Sequence, residues 1–527
     1  MTDLPNGDKV NPPQISVWME LRPALDGFYG IPQETRLLFS ALAGLASVKL
    51  AGFLQMSKRP LCGGIYGRKT SSPALRVGKS SRVVVSLKGK AEIDWKDDVG
   101  AWVSSALGGA WLRCRVWLGL GGVRTGVFEA DQFADYLWQD LFGRTLPIAE
   151  KAQVMALKRY YVCAVPWRLM HIVGLDSARL LGRSRYPRLR SGSADVMIAQ
   201  TPYPGRVSAE TKLVIHYHDA IPVLMPHTIS DRAFHQASHY HALADNVRSG
   251  AYFVCVSEAT RRDLISLFPE AQVRAVTIHN MLPAHYFPTA PQPERIPSLV
   301  RRYAHTVFAG RSKAMADKKW VLSRQFKAEE ERAAFLQANL GEGSRFLLMV
   351  STLEPRKNHA RLLAAWEALH SQDPQLKLIL VGHIGWDYAQ VLDSMVPWIE
   401  EGSLFLLQNV PSESLRLLFR QAVVTVCPST GEGFDFSGIE AMRCGGVVAA
   451  SDIPVHREIY GDATVYFDPY DTDSLADALR LLIYGEEAYS RREDLRERGI
   501  EHSLQYLPER ILPHWESFLQ KITTHSV

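Results

Sequence analysis

The sequence predicts an α/β protein of two tandem domains, each built on a parallel sheet, with the two sheets facing a central cleft. Two series of apolar strands alternating with helices indicate this, one ending near residue 290 and one starting near residue 344. Such strands are typical of parallel sheets covered on both faces. The length of 527 residues agrees, because a single core rarely grows beyond about 250–300 residues.

Composition and charge exclude several classes of protein. With 46% hydrophobic and 22% charged residues and a net charge of +5, the chain is neither disordered nor a typical nucleic-acid binder. The six cysteines are widely spaced, so neither a disulfide framework nor a zinc site is expected. The opening MTDLPNGDKVNPPQ lacks an apolar core, which argues against secretion. We therefore expect a cytoplasmic protein.

The first unit reads as a strand, a glycine-containing loop and a helix. Apolar residues 15–21 predict the strand, and DGFYGIPQ supplies Gly27 and Gly30, where a ligand could approach the backbone. The most membrane-like stretch, Leu37–Leu54, is interrupted by Lys49. An amphipathic or buried helix is therefore favoured over a transmembrane span.

An insertion is expected around residues 60–180. VVVSL and WLRCRVWLGLGG predict strands there, and FADYLWQDLF has apolar residues at helical spacing. Between Lys158 and Arg190, eight basic residues stand against one acidic residue, Asp176, with aromatic residues interleaved. The segment fits either a solvated surface or contact with anionic lipid headgroups or a charged acceptor.

The remaining pattern sets the expected domain boundaries. Residues 1–290 form the first domain, and a charged helical stretch over 291–343 connects it to the second domain, 344–500. A C-terminal helix is expected in 501–527, packing back on the first domain. A cleft between two such domains is the default ligand site.

The strongest local signal is PSTGEGFDFSGIEAMRCGG, from Pro428 to Gly446. A strand ends at Cys427, and small residues follow at the start of a helix, where free backbone N–H groups favour an anion. Glu440 projects from the first turns of this helix, and a carboxylate is a good acceptor for a ribose diol. The pattern indicates a nucleotide site.

A second signal, STLEPRKNH, directly follows the apolar strand FLLMV. Arg356 and Lys357 in a strand-to-helix loop can clamp a diphosphate and stabilise it as a leaving group. A Pro-Arg-Lys turn alone would fit a solvated helix start. Two such loops in one domain, both at the carboxyl ends of predicted strands, favour a common phosphate site.

These motifs resemble the retaining, nucleotide-sugar-dependent glycosyltransferases of family 4, which have the GT-B fold of two Rossmann-like domains. Glu432 and Glu440 match the family's E-x7-E pattern, with GEGFDFSGIEAM where the family usually reads EGFGLPxLEAM. SDIPVHREIYGDATVYFDP and STLEPRKNH match the neighbouring segments. The resemblance is specific from about Arg345 to Asp473, fair from His216 to Phe287 and poor for residues 55–180.

The resemblance implies roles residue by residue. Arg356 and Lys357 would bind the donor diphosphate, and Glu440 the ribose hydroxyls. Glu432 would hold the transferred sugar together with the backbone of the loop. The expected catalytic residues are His218, Glu432 and Lys357. The expected donor-binding residues are Thr352, Arg356, Lys357, Phe434, Asp435, Phe436, Ser437 and Glu440.

The first domain contributes through two further matches. HYHDAIPVLMP resembles the family's HD-IP segment, which would place His218 near the reacting carbon, with a satisfied buried histidine as the alternative. CVSEATRRDL resembles a strand-to-helix junction at Ser257 and Glu258. Gly30 would belong to a loop that faces the phosphates or the acceptor.

Three positions depart from the family. Asp435 and Ser437 replace the common Gly and Pro, and Thr352 stands where many members place a phosphate-binding Arg. TLEPRKN is nevertheless familiar in mannosyl- and related hexosyltransferases of bacterial polysaccharide and lipopolysaccharide assembly. The resemblance therefore implies transfer of mannose from GDP-mannose to a glycan or lipid-linked acceptor, at the inner face of the plasma membrane.

Alternative interpretations remain at this stage. Glu432 and Glu440 could be the two carboxylates of a glycosidase, but a hydrolase needs no phosphate loops beside them. The Asp471-Thr472-Asp473 triplet resembles a metal-binding D-x-D, yet Asp473 fits a helix N-cap better, and no metal or other cofactor is expected. His235, His239 and His241 fit a solvated helix better than a metal site.

Three further functions are weighed against the favoured donor: a UDP- or dTDP-hexose-dependent transferase, a non-catalytic GT-B nucleotide-binding scaffold and a sugar-nucleotide epimerase. In each, a nucleotide or nucleotide sugar is the expected ligand, and nucleic acid is not an expected partner.

Overall fold

The fold was examined in a computed structural model, which describes residues 14–25, 27, 30–65, 72–88, 108–120, 122–309 and 319–524. The sequence expectations for the N-terminal 13 residues and for parts of the first glycine loop, the insertion and the connector lie outside these ranges. The described chain forms two mainly parallel sheets with helices on both faces.

The first sheet has eight strands in the order β10-β9-β8-β7-β1-β2-β5-β4. Only the edge strand β4 is antiparallel to its neighbour. This sheet and the two-stranded pair β3-β6 are built from β1 (Ile15–Glu20), β2 (Val48–Leu54), β3 (Gly122–Val123), β4 (Thr125–Glu129), β5 (Arg159–Cys163), β6 (Arg188–Leu189), β7 (Val196–Ala199), β8 (Lys212–Tyr217), β9 (Tyr252–Cys255) and β10 (Ala275–Thr277).

Nine helices accompany this sheet within the described residues. They are α1 (Ile31–Ala43), α2 (Pro73–Lys88), α3 (108–117), α4 (Ala134–Leu137), α5 (Lys151–Met155), α6 (Trp167–Leu181), α7 (Ile221–Leu224), α8 (Arg232–Arg248) and α9 (Glu258–Leu267). None of the helices in the described part of the chain has the length and apolar character needed to cross a bilayer.

The insertion differs from the sequence prediction. VVVSL lies in α2, where the buried residues Ser80, Val83 and Leu87 follow a helical spacing. Packing of this face against β4 outweighs the strand preference of three consecutive valines. WLRCRVWLGLGG likewise begins inside helix α3 instead of forming a strand.

The structure of the membrane-like stretch also differs from the sequence prediction. The prediction of one helix over Leu37–Leu54 was wrong, because α1 ends at Ala43 and β2 begins at Val48. Gly44 caps the helix, and the following strand pairs with β1 in parallel. The apolar run is continuous because both elements are buried in the first core.

The segment between the sheets is folded onto the second domain. It contains α10 (Ile296–Tyr303), the antiparallel pair β11 (Val307–Ala309) and β12 (Lys319–Val321), and α11 (Glu329–Leu340). Buried side chains of α10 and α11 share a core with the second sheet. The connector therefore enlarges the second domain.

The second sheet has six parallel strands in the order β15-β14-β13-β16-β17-β18. Its strands are β13 (Arg345–Val350), β14 (Leu376–Val381), β15 (Leu404–Leu407), β16 (Val424–Cys427), β17 (Val448–Ser451) and β18 (Val465–Phe467). Its helices are α12 (His359–His370), α13 (Ala389–Glu401), α14 (Ser412–Gln421), α15 (Phe436–Arg443), α16 (Pro454–Tyr460), α17 (Thr472–Ile483) and α18 (Ala488–Ser503).

The last helix, α19 (Pro508–Thr524), returns to the first domain. Its apolar face, which includes the fully buried Trp515, joins the core around β1 and α1. The chain thus crosses between the domains twice, once before α10 and once between α18 and α19.

Candidate active site

A cavity of about 310 Å³ lies between the domains, at the carboxyl ends of strands from both sheets. Parallel strands place the loops that follow them at one edge of a sheet, so loops distant in sequence meet here. The cavity is lined by every site residue that the sequence predicts: Gly30, His218, Thr352, Arg356, Lys357, Glu432, Phe434, Asp435, Phe436, Ser437 and Glu440.

Glu432 joins the two motifs of the second domain. Its Oε2 lies 2.6 Å from Nη1 of Arg356, and its Oε1 accepts a hydrogen bond of 2.6 Å from Nζ of Lys357. The Arg356 guanidinium also donates to the Gly431 carbonyl and to Glu354. The two cations are therefore held in fixed positions at the cavity wall.

Burial and pairing set the protonation states of this cluster. Burial alone would raise the pKa of Glu432, but the adjacent Arg356 and Lys357 charges outweigh it and lower that pKa. Burial would likewise lower the pKa of Lys357, and the Glu432 carboxylate outweighs it and raises that pKa. Both partners are consequently charged, as a site for a diphosphate requires.

Asp435 begins helix α15. Its Oδ1 accepts hydrogen bonds from the backbone N–H and the hydroxyl of Ser437, and its Oδ2 lies 3.1 Å from Nε2 of the buried His456. Although burial opposes it, the charge of Lys357 and the hydrogen bond from His456 lower the Asp435 pKa. Its φ of 57° lies in the left-handed region, where the family's usual glycine is unstrained.

Glu440 lies on the opposite side of the cavity and touches the first domain. Its Oε1 accepts a hydrogen bond of 2.8 Å from Nε2 of Gln33 in α1. Burial raises the pKa of Glu440 to about 8, and the hydrogen bond from Gln33 only partly offsets this. The fold therefore favours the protonated form of this carboxyl group.

His218 follows β8 and faces the cavity from the first domain. Burial lowers its pKa to about 3, so the ring is neutral. Its Nε2 is buried and has no hydrogen-bond partner among the described residues. The alternative of a fully satisfied buried histidine therefore does not hold for this atom.

The domains approach each other closely at Gly433. A Cβ at this position would lie 1.8 Å from the carbonyl oxygen of His218, so only glycine fits. Thr260 at the start of α9 contacts both carbonyls, with its hydroxyl 3.4 Å from the oxygens of His218 and Gly433. This contact fixes the distance between the two walls of the cavity.

Phe434, Gly30 and Thr352 also line the cavity. The Phe434 ring packs against Phe436 and Tyr506, and its side chain is only 4% exposed. Gly30, with a φ of 69°, begins α1 and has open space around its α-carbon. Thr352 follows β13 in the loop that leads to Arg356.

Sequence reasoning missed several polar residues of the cavity wall, among them Gln33, Asp219 and Asn280. Gln33 lies one turn into α1, Asp219 follows His218, and Asn280 follows β10. Asp219 accepts a hydrogen bond from the Ile221 backbone, and the Asn280 side-chain oxygen is buried without a partner among the described residues. The position of Asp219 and Asn280 directly after predicted strands was a usable signal, whereas nothing in the sequence marks Gln33.

The two sequence motifs that resemble metal sites have other roles in the structure. The N-cap of α17 is Asp471, whose carboxylate accepts from the Asp473 backbone, so the prediction of Asp473 as the cap was wrong by two residues. The three histidines lie on α8, and His239 bonds to the Tyr217 hydroxyl. Within the described ranges, no group of three or more His, Cys, Asp or Glu residues could hold a metal ion.

Two facing domains with parallel sheets and a cavity between them define the GT-B architecture, as the sequence predicted. Solved structures agree with it. A sucrose-phosphate synthase from Thermosynechococcus elongatus superposes with a TM-score of 0.53 and 15% identity, covering 97% of this chain and all of that one. HepE of Anabaena, in complex with UDP and glucose, gives a TM-score of 0.52 over 96% of this chain and all of that one, also at 15% identity.

The sequence comparisons point to one family. Residues 331–502, about a third of the chain, match the family model described as "Glycosyl transferases group 1". The serotype-specific mannosyltransferase WbdA of Escherichia coli is 33% identical over 164 residues, 30% of this chain and 20% of that protein. The O-antigen chain mannosyltransferase B of Escherichia coli is 28% identical over 266 residues, 50% of this chain and 59% of that protein.

These matches bear out the resemblance to bacterial mannosyltransferases of family 4 that the motifs indicated. The chain spans about a fifth of the length of WbdA and less than two thirds of mannosyltransferase B. The region that matches the family model contains both motifs of the second domain.

Proposed function

We propose that the protein is a retaining glycosyltransferase that moves mannose from GDP-mannose to a hydroxyl group of a polysaccharide or lipid-linked glycan. The observation that carries this proposal is the cavity between the domains, in which Arg356, Lys357, Glu432 and Glu440 meet His218. A cation pair for a diphosphate and a separate carboxyl group for a ribose are the groups that a nucleotide sugar needs.

The second domain would hold the donor. The diphosphate takes the place opposite Arg356 and Lys357, and both cations are already fixed by Glu432. The start of α15 lines the same cavity, and the N-terminus of a helix favours an anion. The ribose hydroxyls reach Glu440, which exchanges its hydrogen bond with Gln33 for bonds to the nucleoside.

The transfer step breaks the bond between the anomeric carbon and the diphosphate oxygen, and the electron pair stays on the diphosphate. Arg356 and Lys357 stabilise the charge that develops there. The acceptor hydroxyl forms the new bond on the same face of the sugar, and its proton passes to the departing phosphate oxygen. The configuration at the anomeric carbon is thereby retained.

His218 would position the sugar from the first domain. Its neutral ring and unpartnered Nε2 provide one hydrogen-bonding group at the cavity wall. The narrow contact at Gly433 brings this histidine next to the loop that follows Glu432. Closure of the domains also excludes water, which protects the donor from hydrolysis.

The choice of mannose is supported by the printed names of the relatives. Both WbdA and the O-antigen chain mannosyltransferase B are named as mannosyltransferases. We further propose that the reaction needs no metal, because Arg356 and Lys357 supply the positive charge, and that the enzyme acts at the cytoplasmic face of a membrane.

A donor panel tests the proposal. Equilibrium binding of GDP-, UDP- and dTDP-sugars is measured on the full chain, followed by transfer to a polysaccharide or lipid extract in the presence of a chelator. We expect tight binding of GDP-mannose alone, release of GDP and a mannosylated product. Preference for a UDP- or dTDP-sugar would overturn the donor assignment.

Two further outcomes distinguish the alternatives. Nucleotide binding without any product would indicate a non-catalytic scaffold, and an isomerised sugar nucleotide would indicate an epimerase. Loss of transfer in the chelator, restored by Mg²⁺, would contradict the metal-independent mechanism. The anomeric configuration of the product, read by NMR, tests retention directly.

A further inference from the structure

A second cavity, of about 520 Å³, lies in the first domain away from the active site. Five arginines line it, and one carboxylate, Asp245, lies among them. We call this cavity the arginine pocket. The arginines are Arg183, Arg185, Arg188, Arg206 and Arg248.

Only part of this charge is neutralised within the protein. Asp245, with a side chain 1% exposed, accepts hydrogen bonds from Arg206 and lies 3.5 Å from Arg248. Arg183 and Arg188 form no ion pair or side-chain hydrogen bond with the described residues. The pocket therefore keeps an excess of positive charge beside two uncompensated guanidinium groups.

The partial negative charges of the nearby helix ends do not cancel the excess positive charge of the pocket. The pocket lies at the C-termini of α6 and α8, and each helix C-terminus carries roughly half a negative charge. Subtracting these two ends and Asp245 from the five arginines leaves a charge of about +3. The excess must face solvent or an anionic ligand.

Tyr186 is also a lining residue of the pocket and is 6% exposed. Its hydroxyl is buried and has no hydrogen-bond partner among the described residues. The arginines, and not this hydroxyl, are therefore the groups that a ligand in the pocket would meet.

Exposed leucines surround the arginine pocket. Leu118 and Leu120, 73% and 64% exposed, flank the lining residue Gly119. Leu180 and Leu181, 65% and 47% exposed, end helix α6 directly before Arg183. Large apolar side chains beside a basic pocket are typical of surfaces that lie in the headgroup region of a membrane.

We infer that this face of the first domain binds a bilayer of acidic phospholipids, with a lipid phosphate in the arginine pocket and the four leucines among the acyl chains. A soluble phosphate compound would satisfy the arginines but would leave the leucines exposed to water. The combination of charge and apolar side chains therefore favours the lipid surface. Peripheral contact of this kind needs no membrane-spanning helix.

The position of the pocket leaves the cleft free. Helix α8 begins at Arg232, whose side chain pairs with Asp387 of the second domain, and ends at Arg248 in the arginine pocket. Its 17 residues separate these points by about 24 Å. A membrane on this face would bring the enzyme close to lipid-linked acceptors, a consequence that rests on the proposed function.

Vesicle sedimentation of the full chain tests the inference. The wild-type protein should bind vesicles containing phosphatidylglycerol at low salt and should not bind pure phosphatidylcholine vesicles. Arg183→Ala/Arg188→Ala should weaken the binding by roughly twenty-fold, since each basic residue near an acidic membrane contributes about fivefold. Leu118→Ser/Leu120→Ser should reduce the part of the binding that persists at high salt.

A matched control changes the same charge elsewhere. Arg302 and Arg498 are exposed residues of α10 and α18 in the second domain, and Arg302→Ala/Arg498→Ala should bind vesicles like the wild type. All these side chains are exposed, so melting temperatures should be unchanged. Nucleotide binding, measured on the same preparations, reports the proposed function separately.

Three results would overturn the inference. The first is absence of binding to phosphatidylglycerol vesicles, and the second is equal binding by the arginine variant and the wild type. The third is a melting temperature raised by inorganic phosphate through Arg183 and Arg188 without vesicle binding, which would assign the pocket to a soluble phosphate ligand.

Discussion

Lys357 carries the clearest prediction for a single residue. Its ammonium group lies 2.6 Å from Glu432 at the cavity wall and is placed to meet the leaving diphosphate. Lys357→Ala should lower sugar transfer by about 10²–10³-fold, because one preorganised electrostatic contact to the developing charge is lost. Steady-state turnover of the purified variant checks this.

The control for this variant is Lys521→Ala, which removes the same charge from an exposed position on α19. It should transfer sugar at the wild-type rate. Near-normal turnover of Lys357→Ala, in a protein that melts like the wild type, would contradict the role of Lys357.

The raised pKa of Glu440 predicts that the stability of the folded protein depends on pH. Burial raises its pKa from the ordinary value to about 8, so the fold favours the protonated carboxyl group. The resulting stabilisation is complete below the unfolded-state pKa and is lost as the pH rises toward 8. Glu440→Gln keeps a neutral side chain beside Gln33 and should lose this dependence.

Melting temperatures of the two proteins between pH 5 and pH 9 measure the effect. The melting temperature of the wild type should fall by a few degrees relative to Glu440→Gln as the pH rises from 5 toward 8, and the difference should level off above 8. Parallel curves would show that Glu440 does not titrate in this range. GDP binding to the wild type should strengthen over the same interval, because the carboxylate accepts from the ribose better than the neutral acid.

Two substitutions of Asp435 distinguish the cost of backbone strain from the loss of side-chain contacts. Its φ of 57° is unstrained for glycine and costs roughly 1–2 kcal/mol for alanine. Asp435→Gly and Asp435→Ala both lose the cap of α15 and the contact with His456. The glycine variant should therefore be more stable by about 1 kcal/mol, as urea unfolding would show. Equal stabilities would refute the argument from backbone strain.

At the scale of elements, the contact between the loop after β8 and the loop after β16 controls closure. Gly433→Ala would place a Cβ where the His218 carbonyl oxygen now lies, so the two loops must separate. We expect transfer to fall at least tenfold while each domain keeps its own fold, because misplacing reacting groups by 1 Å can cost about 10²-fold. Turnover together with calorimetry would measure this.

Gly78→Ala is the matched control for this change. Gly78 lies in α2 with open space around it, so the added methyl group contacts nothing. Wild-type activity is expected. Unchanged activity of Gly433→Ala would show that the loops have room to adjust.

The elements that build the site were the ones most accessible from the sequence. Apart from the edge strand β18, the strands of the second sheet are buried on both faces. The loops after β13 and β16 contain the charged and small residues that predict a phosphate site. All predicted site residues line one cavity for this reason. Their roles in catalysis stay predictions.

The sequence predictions that failed did so because long-range packing decided the structure at those positions. The valines of α2 prefer strands, and only the contact of α2 with β4 explains their helix. Gln33 shows no local signal, because its importance comes from Glu440, 407 positions away in the chain. Sequence patterns describe local preference, and neither observation is local.

At the scale of the whole molecule, α19 makes the stability of the first domain depend on the end of the chain. Trp515 is fully buried there, edge-on to His216, which precedes His218 by two residues. Trp515→Ala should destabilise the first domain by about 3–5 kcal/mol through loss of buried area and the resulting cavity. Calorimetry should show an earlier transition for that domain.

The exposed Ser517 on the same helix provides the control, since Ser517→Ala should melt like the wild type. If Trp515→Ala also melted like the wild type, α19 would not stabilise the first domain. GDP binding to the second domain should survive in Trp515→Ala at temperatures below the first transition.

The double crossing of the chain limits how the domains can move. The two crossing segments touch, because the Leu282 backbone N–H donates to the Tyr506 carbonyl and His279 packs edge-on against Tyr506. Two joined connections resist sliding and twisting much more than they resist bending. We therefore expect the cleft to open by a rotation about the paired segments, so that any ligand of the cavity would pass through the gap that this rotation opens.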